Sequence, residues 1–327
     1  MRRNPYTVLA LAVATVSFAS LFIRLSHAPP LPIATYRMGF ATLILAAALV
    51  ATDRQAWCGL HGREWGLCLL SGFCLALHFG TWVTSLSYTS VASSTVLVSM
   101  QPLFVMAGSH FLYRERVPRL ALAAAALAVA GSALIGGGDF GTGGRALWGD
   151  LLAFTGSITV AGYMLIGRLL RQQMSLLAYT VPVYASCTLF LILGCLFGDQ
   201  PLTPYPPGEW LLFLALAVVP TIGGHTLFNY TLRYLAAHVV SISTLGEPVG
   251  ASLLVLGFLG EVPPLPTVLG AVLALTGIGW FLWLTAPSPS RPRAGRGKAT
   301  GEYGRSIDVP PGVPAGTGAG GDATGVS

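Results

Sequence analysis

Tyr88, Pro102, Glu115, Pro118 and Gly131 recur as Tyr234, Pro248, Glu261, Pro264 and Gly277, every pair separated by 146 residues. Between residues 88 and 136 the same offset also pairs Ala125, Leu127 and Ala128 with identical residues. Alanine and leucine matches arise by chance in apolar sequence; coincident proline, glutamate and tyrosine do not. The interval from proline to glutamate is thirteen residues in both copies. A chain that carries one unit twice is restricted to folds built from two related halves.

The solvent of those halves follows from composition. Hydrophobic residues make up 54% of the 327 and charged residues 9%, against about 25% charged in a soluble domain. The charges fall between apolar runs, of which there are ten, near 6–25, 32–52, 65–86, 90–112, 119–137, 148–168, 177–197, 209–231, 237–260 and 265–285. Most approach the roughly 20 residues with which a helix crosses about 30 Å of hydrocarbon. Lipid offers no partner to a free amide, so helix is the expected state. Runs such as LALAAAALAVAG lack the alternation of barrel strands. Each copy holds five runs. Because five is odd, the second copy starts from the opposite side of the bilayer. The expected fold is therefore an all-α integral membrane protein of ten transmembrane helices in two inverted five-helix repeats. Such repeats give one binding site two related states, one open to each face, as in secondary transporters.

A net charge of +6 raises nucleic acid as a partner, but the placement of the charges argues against it. With the N-terminus inside, Arg2, Arg3, Arg54, Arg63, Arg114, Arg116, Arg119, Arg168, Arg171, Arg233 and five basic residues after 286 lie on the inner side. Arg24 and Arg145 lie outside, and Arg37 lies within a span. This bias predicts cytoplasmic N- and C-termini in a cell membrane. Arg2 and Arg3 before an apolar run also fit a signal peptide; nine similar runs follow and the repeat needs this one, so it is read as a span. Cys58, Cys68, Cys74, Cys187 and Cys195 show neither zinc nor disulfide spacing and read as packing residues. The expected organisation is a first repeat over 1–137, a Gly-rich linker over 138–150, a second repeat over 151–286 and a disordered cytoplasmic tail over 287–327.

YTSVASSTVLVSMQPLFVMAGSHFLYRERV and YLAAHVVSISTLGEPVGASLLVLGFLGEV resemble the first and second halves of an EamA-type protein of the drug/metabolite transporter superfamily. The resemblance covers about 5–285. It implies ten helices, with a cavity lined mainly by helices 1–4 and 6–9 and helices 5 and 10 peripheral. It also implies export or exchange of small metabolites such as amino acids, usually driven by an ion gradient.

Glu247, mid-span before Pro248, is the first functional candidate. A charge at mid-bilayer costs about 2.5–3.5 kcal/mol on insertion scales, which disfavours a lipid-facing position. In a cavity the carboxyl can exchange a coupling proton; the bland alternative is a packing hydrogen bond. Its counterpart is Gln101, which cannot titrate. His78, Trp82 and Ser85 share one helix face, as do His225 and Asn229 on the corresponding helix. They are candidates to contact a polar substrate or proton, against interhelical hydrogen bonding alone. Trp82 and Tyr163 are candidate aromatic walls. Arg37 can hold a substrate carboxylate with its planar fork or snorkel to headgroups. Pro102 and Pro248, read as mid-span kinks, are candidate gates. Glu115 and Glu261 read as helix-end residues, and His110 and His238 as weaker candidates.

No catalytic motif, metal site or cofactor is expected. HExxH and Gly-x-Ser-x-Gly are absent, so an embedded enzyme ranks low, as does a channel. The expected partners are a small-molecule substrate, a coupling proton and membrane lipid. Small-residue spans permit a homodimer without requiring one. Nucleobase and sugar-phosphate carriers remain alternatives to an amino-acid exporter.

Overall fold

The computed structural model describes residues 4–53, 55, 61–85, 87–89, 94, 97–115, 117–136, 144–260 and 262–286. Arg2, Arg3, Arg54, Cys58, Arg116, Glu261, residues 138–143 of the expected linker and the tail 287–327 lie outside the described residues. Helices α1 (Pro5–Val16) and α2 (Phe18–Leu25) form one crossing with a turn at Ser17. They are followed by α3 (Pro30–Thr52), α4 (Gly62–Ser85), α5 (Gln101–Tyr113), α6 (Arg119–Gly136), α7 (Gly144–Leu170) and α8 (Leu176–Phe197). The Pro207–Thr231 crossing is α9 (Pro207–Leu216), a π-helical stretch (Ala217–Thr226) and α10 (Leu227–Thr231). Next come α11 (Ala237–Ser243), a 3-10 turn (Thr244–Gly246) and α12 (Glu247–Leu259), then α13 (Leu265–Thr285).

Eight of these crossings are long and apolar enough to span a bilayer, and Arg119–Ile135 is a shorter apolar helix. Large apolar side chains such as Phe111, Phe197, Phe258 and Trp283 are exposed on the outside. Around a soluble protein such a surface would aggregate; in lipid it is solvated. The chain is a multi-pass membrane protein.

Two expectations shift. Helix α7 starts at Gly144, inside the stretch read as linker. The Arg145 guanidinium lies 5.4 Å from the Tyr88 ring, and Thr89 Oγ1 donates to Asp150 Oδ1 at 2.7 Å. These contacts, together with the close approach of Gly149 to the Thr89 backbone, hold the extra helical turn. Pro102 and Pro248 do not kink continuous helices. Each is the second residue of a 13-residue helix that begins after a break. Proline is tolerated there because a first-turn N–H has no intrahelical partner to lose.

The packing is mostly antiparallel. Helix α3 runs against α8, with Thr35 beside Cys195 and Thr42 beside Thr188. Helix α4 runs against α7, with Cys74 beside Gly162 and Thr81 beside Gly156. Helix α1 meets the π stretch, where Thr15 Oγ1 donates to Gly223 O. The closest backbone approach at a glycine, among the described residues, is in the seam between α6 and α13. A Cβ on Gly131 would fall 2.3 Å from Ala274 N and 2.7 Å from Gly270 O; one on Gly277 would fall 2.5 Å from Ala128 N and 2.7 Å from Ala124 O. A shift of 146 residues interchanges these two sets of contacts. Glycine is needed at both positions because the facing backbones leave no room for a side chain.

Candidate functional site: a cavity between the helices

The breaks in the helices converge on a cavity of about 340 Å³. Val16, Ala19 and Ser20 come from the α1–α2 crossing, Arg37 from α3, and His78, Phe79 and Trp82 from α4. Val98, Ser99 and Gln101 enter at the start of α5, Ile135 from α6, and Val160 and Met164 from α7. His225 and Phe228 come from the Pro207–Thr231 crossing. Thr244, Leu245, Glu247, Pro248, Ala251 and Ser252 come from the 3-10 turn and α12. Helix α8 contributes no lining residue, and α6, expected at the periphery, contributes Ile135.

Arg37 is 3% exposed and does not reach the headgroups. Its Nε donates to Thr221 Oγ1 at 3.1 Å, and its Cζ lies 4.9 Å from the Phe79 ring centroid. Its Nη2 is buried and finds no hydrogen-bond partner among the described residues. Leaving a buried donor of a charged group unpaired costs more than about 1–3 kcal/mol. A native structure retains such a defect where something else completes it. Glu247 is half-buried on the same cavity. No ion pair within 4.0 Å joins the two among the described residues. The carboxyl stands at the first position of α12, where the partial positive charge of a helix N-terminus favours an anion.

The His78 ring stacks on the Trp82 ring at 6.0 Å and 8°. His78 Nδ1 lies 3.0 Å from Gly156 O. A carbonyl only accepts, so Nδ1 carries the proton and neutral His78 keeps Nε2 as an acceptor. His225 meets Phe79 edge-on at 5.9 Å; the two residues are 146 apart. Gln101 Nε2 donates to Thr244 Oγ1 at 2.6 Å, bridging the starts of the two interrupted crossings.

Six of the expected side chains therefore share one cavity: Glu247, His78, His225, Trp82, Arg37 and Gln101. Pro248 lines it as well, and Pro102 does not. Asn229 and Tyr163 stand behind the wall. Asn229 Nδ2 donates to Tyr163 Oη at 2.7 Å and to Tyr184 Oη at 3.4 Å, and Tyr184 Oη lies 3.1 Å from Thr226 Oγ1. Their neighbours in sequence, Phe228 and Met164, face the cavity instead. One residue is about 100° of helix, enough to move a side chain from lining to support. Ser85 is also withdrawn, bonded to Ser94 Oγ at 2.6 Å. At the ends of α5 and α7, Glu115 Oε2 lies 3.1 Å from His238 Nδ1 and Oε1 lies 3.9 Å from Arg168 Nη2. These helix-end residues are away from the cavity lining. His110 Nδ1 sits 3.4 Å from Glu115 O.

Sequence reading passed over Ser99, Thr221, Thr244 and Ser252. Hydroxyls are common in membrane helices, and nothing in their spacing separates these from the rest. Thr221 alone had a local signal, its place directly after Pro220 in a span.

Interrupted helices around a mostly apolar cavity that holds a few charged and polar side chains, in a multi-pass protein, are the architecture of a membrane transporter. Comparison with known proteins makes that specific. The model of the EamA-like transporter family matches residues 5–137 and 147–283. The chain belongs to the EamA-like transporter family. It is 24% identical over 285 residues to the uncharacterized transporter YxxF of Bacillus subtilis (strain 168), covering 86% of this chain and 91% of that protein. An uncharacterized transporter of Archaeoglobus fulgidus is 26% identical over 207 residues, 62% of this chain and 71% of the relative. A solved crystal structure superimposes with a TM-score of 0.75 at 19% identity, covering 87% of this chain and 98% of that one. At that identity the likeness concerns the fold.

Proposed function

We propose that this transporter exports small zwitterionic or neutral metabolites such as amino acids, coupled to protons through Glu247. Alternating access comes from two inverted five-helix repeats, about 1–137 and 151–286, in the cell membrane with both termini cytoplasmic. The observation that carries the substrate class is that Arg37, whose Nη2 is unpaired, and Glu247 line one cavity without meeting each other. A ligand with a carboxylate and an ammonium group completes both. A phosphate dianion would gain Arg37 and be repelled by Glu247, which disfavours sugar phosphates. Supporting the repeat are the interchanged contacts of the α6–α13 seam and the paired helix starts at Gln101 and Glu247. The pair at Pro102 and Pro248 supplies the discontinuities about which the halves rock. The inner-side Arg bias supports the orientation.

The test is purified protein in thermal shift against a metabolite library, then transport of any hit in proteoliposomes under an imposed pH gradient. Saturable, gradient-dependent movement of an α-amino acid is expected. Movement of nucleobases or sugar phosphates instead would replace the substrate class. Non-saturable flux would turn the reading toward a channel.

A further inference from the structure

We propose that Thr221 is a positioning residue, whose hydroxyl fixes the Arg37 guanidinium at the cavity wall as a carboxylate contact. This rests on the cavity being the substrate site. Pro220 lies inside the π stretch and has no N–H, so it cannot return the usual bond to Leu216 O. The Thr221 hydroxyl donates to that same carbonyl at 2.9 Å. A hydroxyl has one proton; once it is given to Leu216 O, the oxygen can only accept from its other neighbour. That neighbour is Arg37 Nε, at 3.1 Å. Arg37 thus gives Thr221 its single Nε–H, and the Phe79 ring lies against the guanidinium carbon. With one edge tied and one face covered, the planar group has little freedom. Nη2 is left buried without a hydrogen-bond partner, and Arg37 lines the cavity. Thr221 itself is 0% exposed and is not among the residues that line this cavity, so it acts through Arg37. The π segment is the local distortion that brings the hydroxyl to this place, in keeping with the clustering of such segments at functional sites.

The experiment measures modification of Arg37 by phenylglyoxal, which attacks the Nη nitrogens, in the purified full chain, read by peptide mass spectrometry. Thr221→Val keeps the side-chain shape and removes the hydroxyl. The released guanidinium is expected to swing onto Glu247, so that labelling slows about fivefold or more. Thr221→Ser restores the wild-type rate to within about twofold, because it keeps the same acceptor. Thr221→Val with Glu247→Gln recovers most of the loss, since the competing carboxylate is gone. An unchanged rate in Thr221→Val overturns the proposal. So does Thr221→Ser behaving like Thr221→Val, which would make the methyl the important group. Should Thr221→Val fail to purify as a folded protein, Thr221→Ala carries the same expectation and the same refutation. Labelling does not depend on which solute is carried, so a failed transport screen and a failed positioning test are told apart.

Discussion

The α6–α13 seam and the central cavity respond to the same 146-residue offset in opposite ways. At the seam the offset exchanges like for like: Gly131 on Ala274 and Gly270 becomes Gly277 on Ala128 and Ala124. In the cavity it exchanges unlike groups. Glu247 becomes Gln101, His225 becomes Phe79, Trp82 becomes Phe228, and Arg37 becomes Val183. Packing is thus duplicated and chemistry is not. On the alternating-access reading proposed above, a repeated scaffold gives two conformations of similar energy. An unrepeated set of charges lets a ligand or proton bind them differently, and only differential affinity can shift such an equilibrium.

The strongest way to break this contrast is at the seam. Gly131→Leu or Gly277→Leu is expected to abolish assembly, read as loss of a monodisperse peak in detergent. The milder Gly131→Ala and Gly277→Ala should each destabilise by about 3 kcal/mol, the upper end for overpacking, because backbone rather than a movable side chain faces the new methyl. Matched losses in thermal unfolding sharpen the symmetry; a tolerant partner breaks it. In the cavity, Glu247→Gln should cut pH-gradient-driven transport about 100-fold, or roughly 2.7 kcal/mol of barrier, with little change in unfolding temperature. Adding Gln101→Glu should not rescue it, because Val183 stands where a second Arg37 would be needed. A rescue would mean that the two helix starts are interchangeable. Arg37→Lys should weaken ligand binding about tenfold by losing the planar fork, measured by calorimetry. Asn229→Ala should cost about 1–3 kcal/mol of stability while ligand affinity stays within about twofold. Glu115→Gln, in a partly exposed cluster, should change stability by less than about 1 kcal/mol.

Much of this was legible in the residue order. Crossings could be read from apolar runs because lipid forces backbone pairing into the helix. Glu247, Arg37 and His78 stood out because a polar group in such a run needs a reason to be there. Two things were hidden. Ala128 and Ala274 were discounted as chance matches in apolar sequence, yet they are where the seam closes; composition cannot tell a lipid-facing alanine from one under a glycine. Helical spacing from His225 points Asn229 into the cavity, but the π stretch before Asn229 changes the rotation of everything after it; Tyr163, a candidate aromatic wall with no spacing signal of its own, stands behind the wall with it. A 3.6-residue period carried through an irregular segment points to the wrong face.

The seam also dictates when the molecule can be finished. Ala121, Ala124, Ala125 and Ala128 of α6 are wholly covered, and α13, which meets them, is the last helix described. During synthesis at about 5–20 residues per second, α6 must therefore wait for its seam partner until the Leu265–Thr285 helix has been made. A nascent protein truncated before Leu265 would present that bare stripe to the quality-control proteases of the membrane, which makes α13 a checkpoint on the assembly.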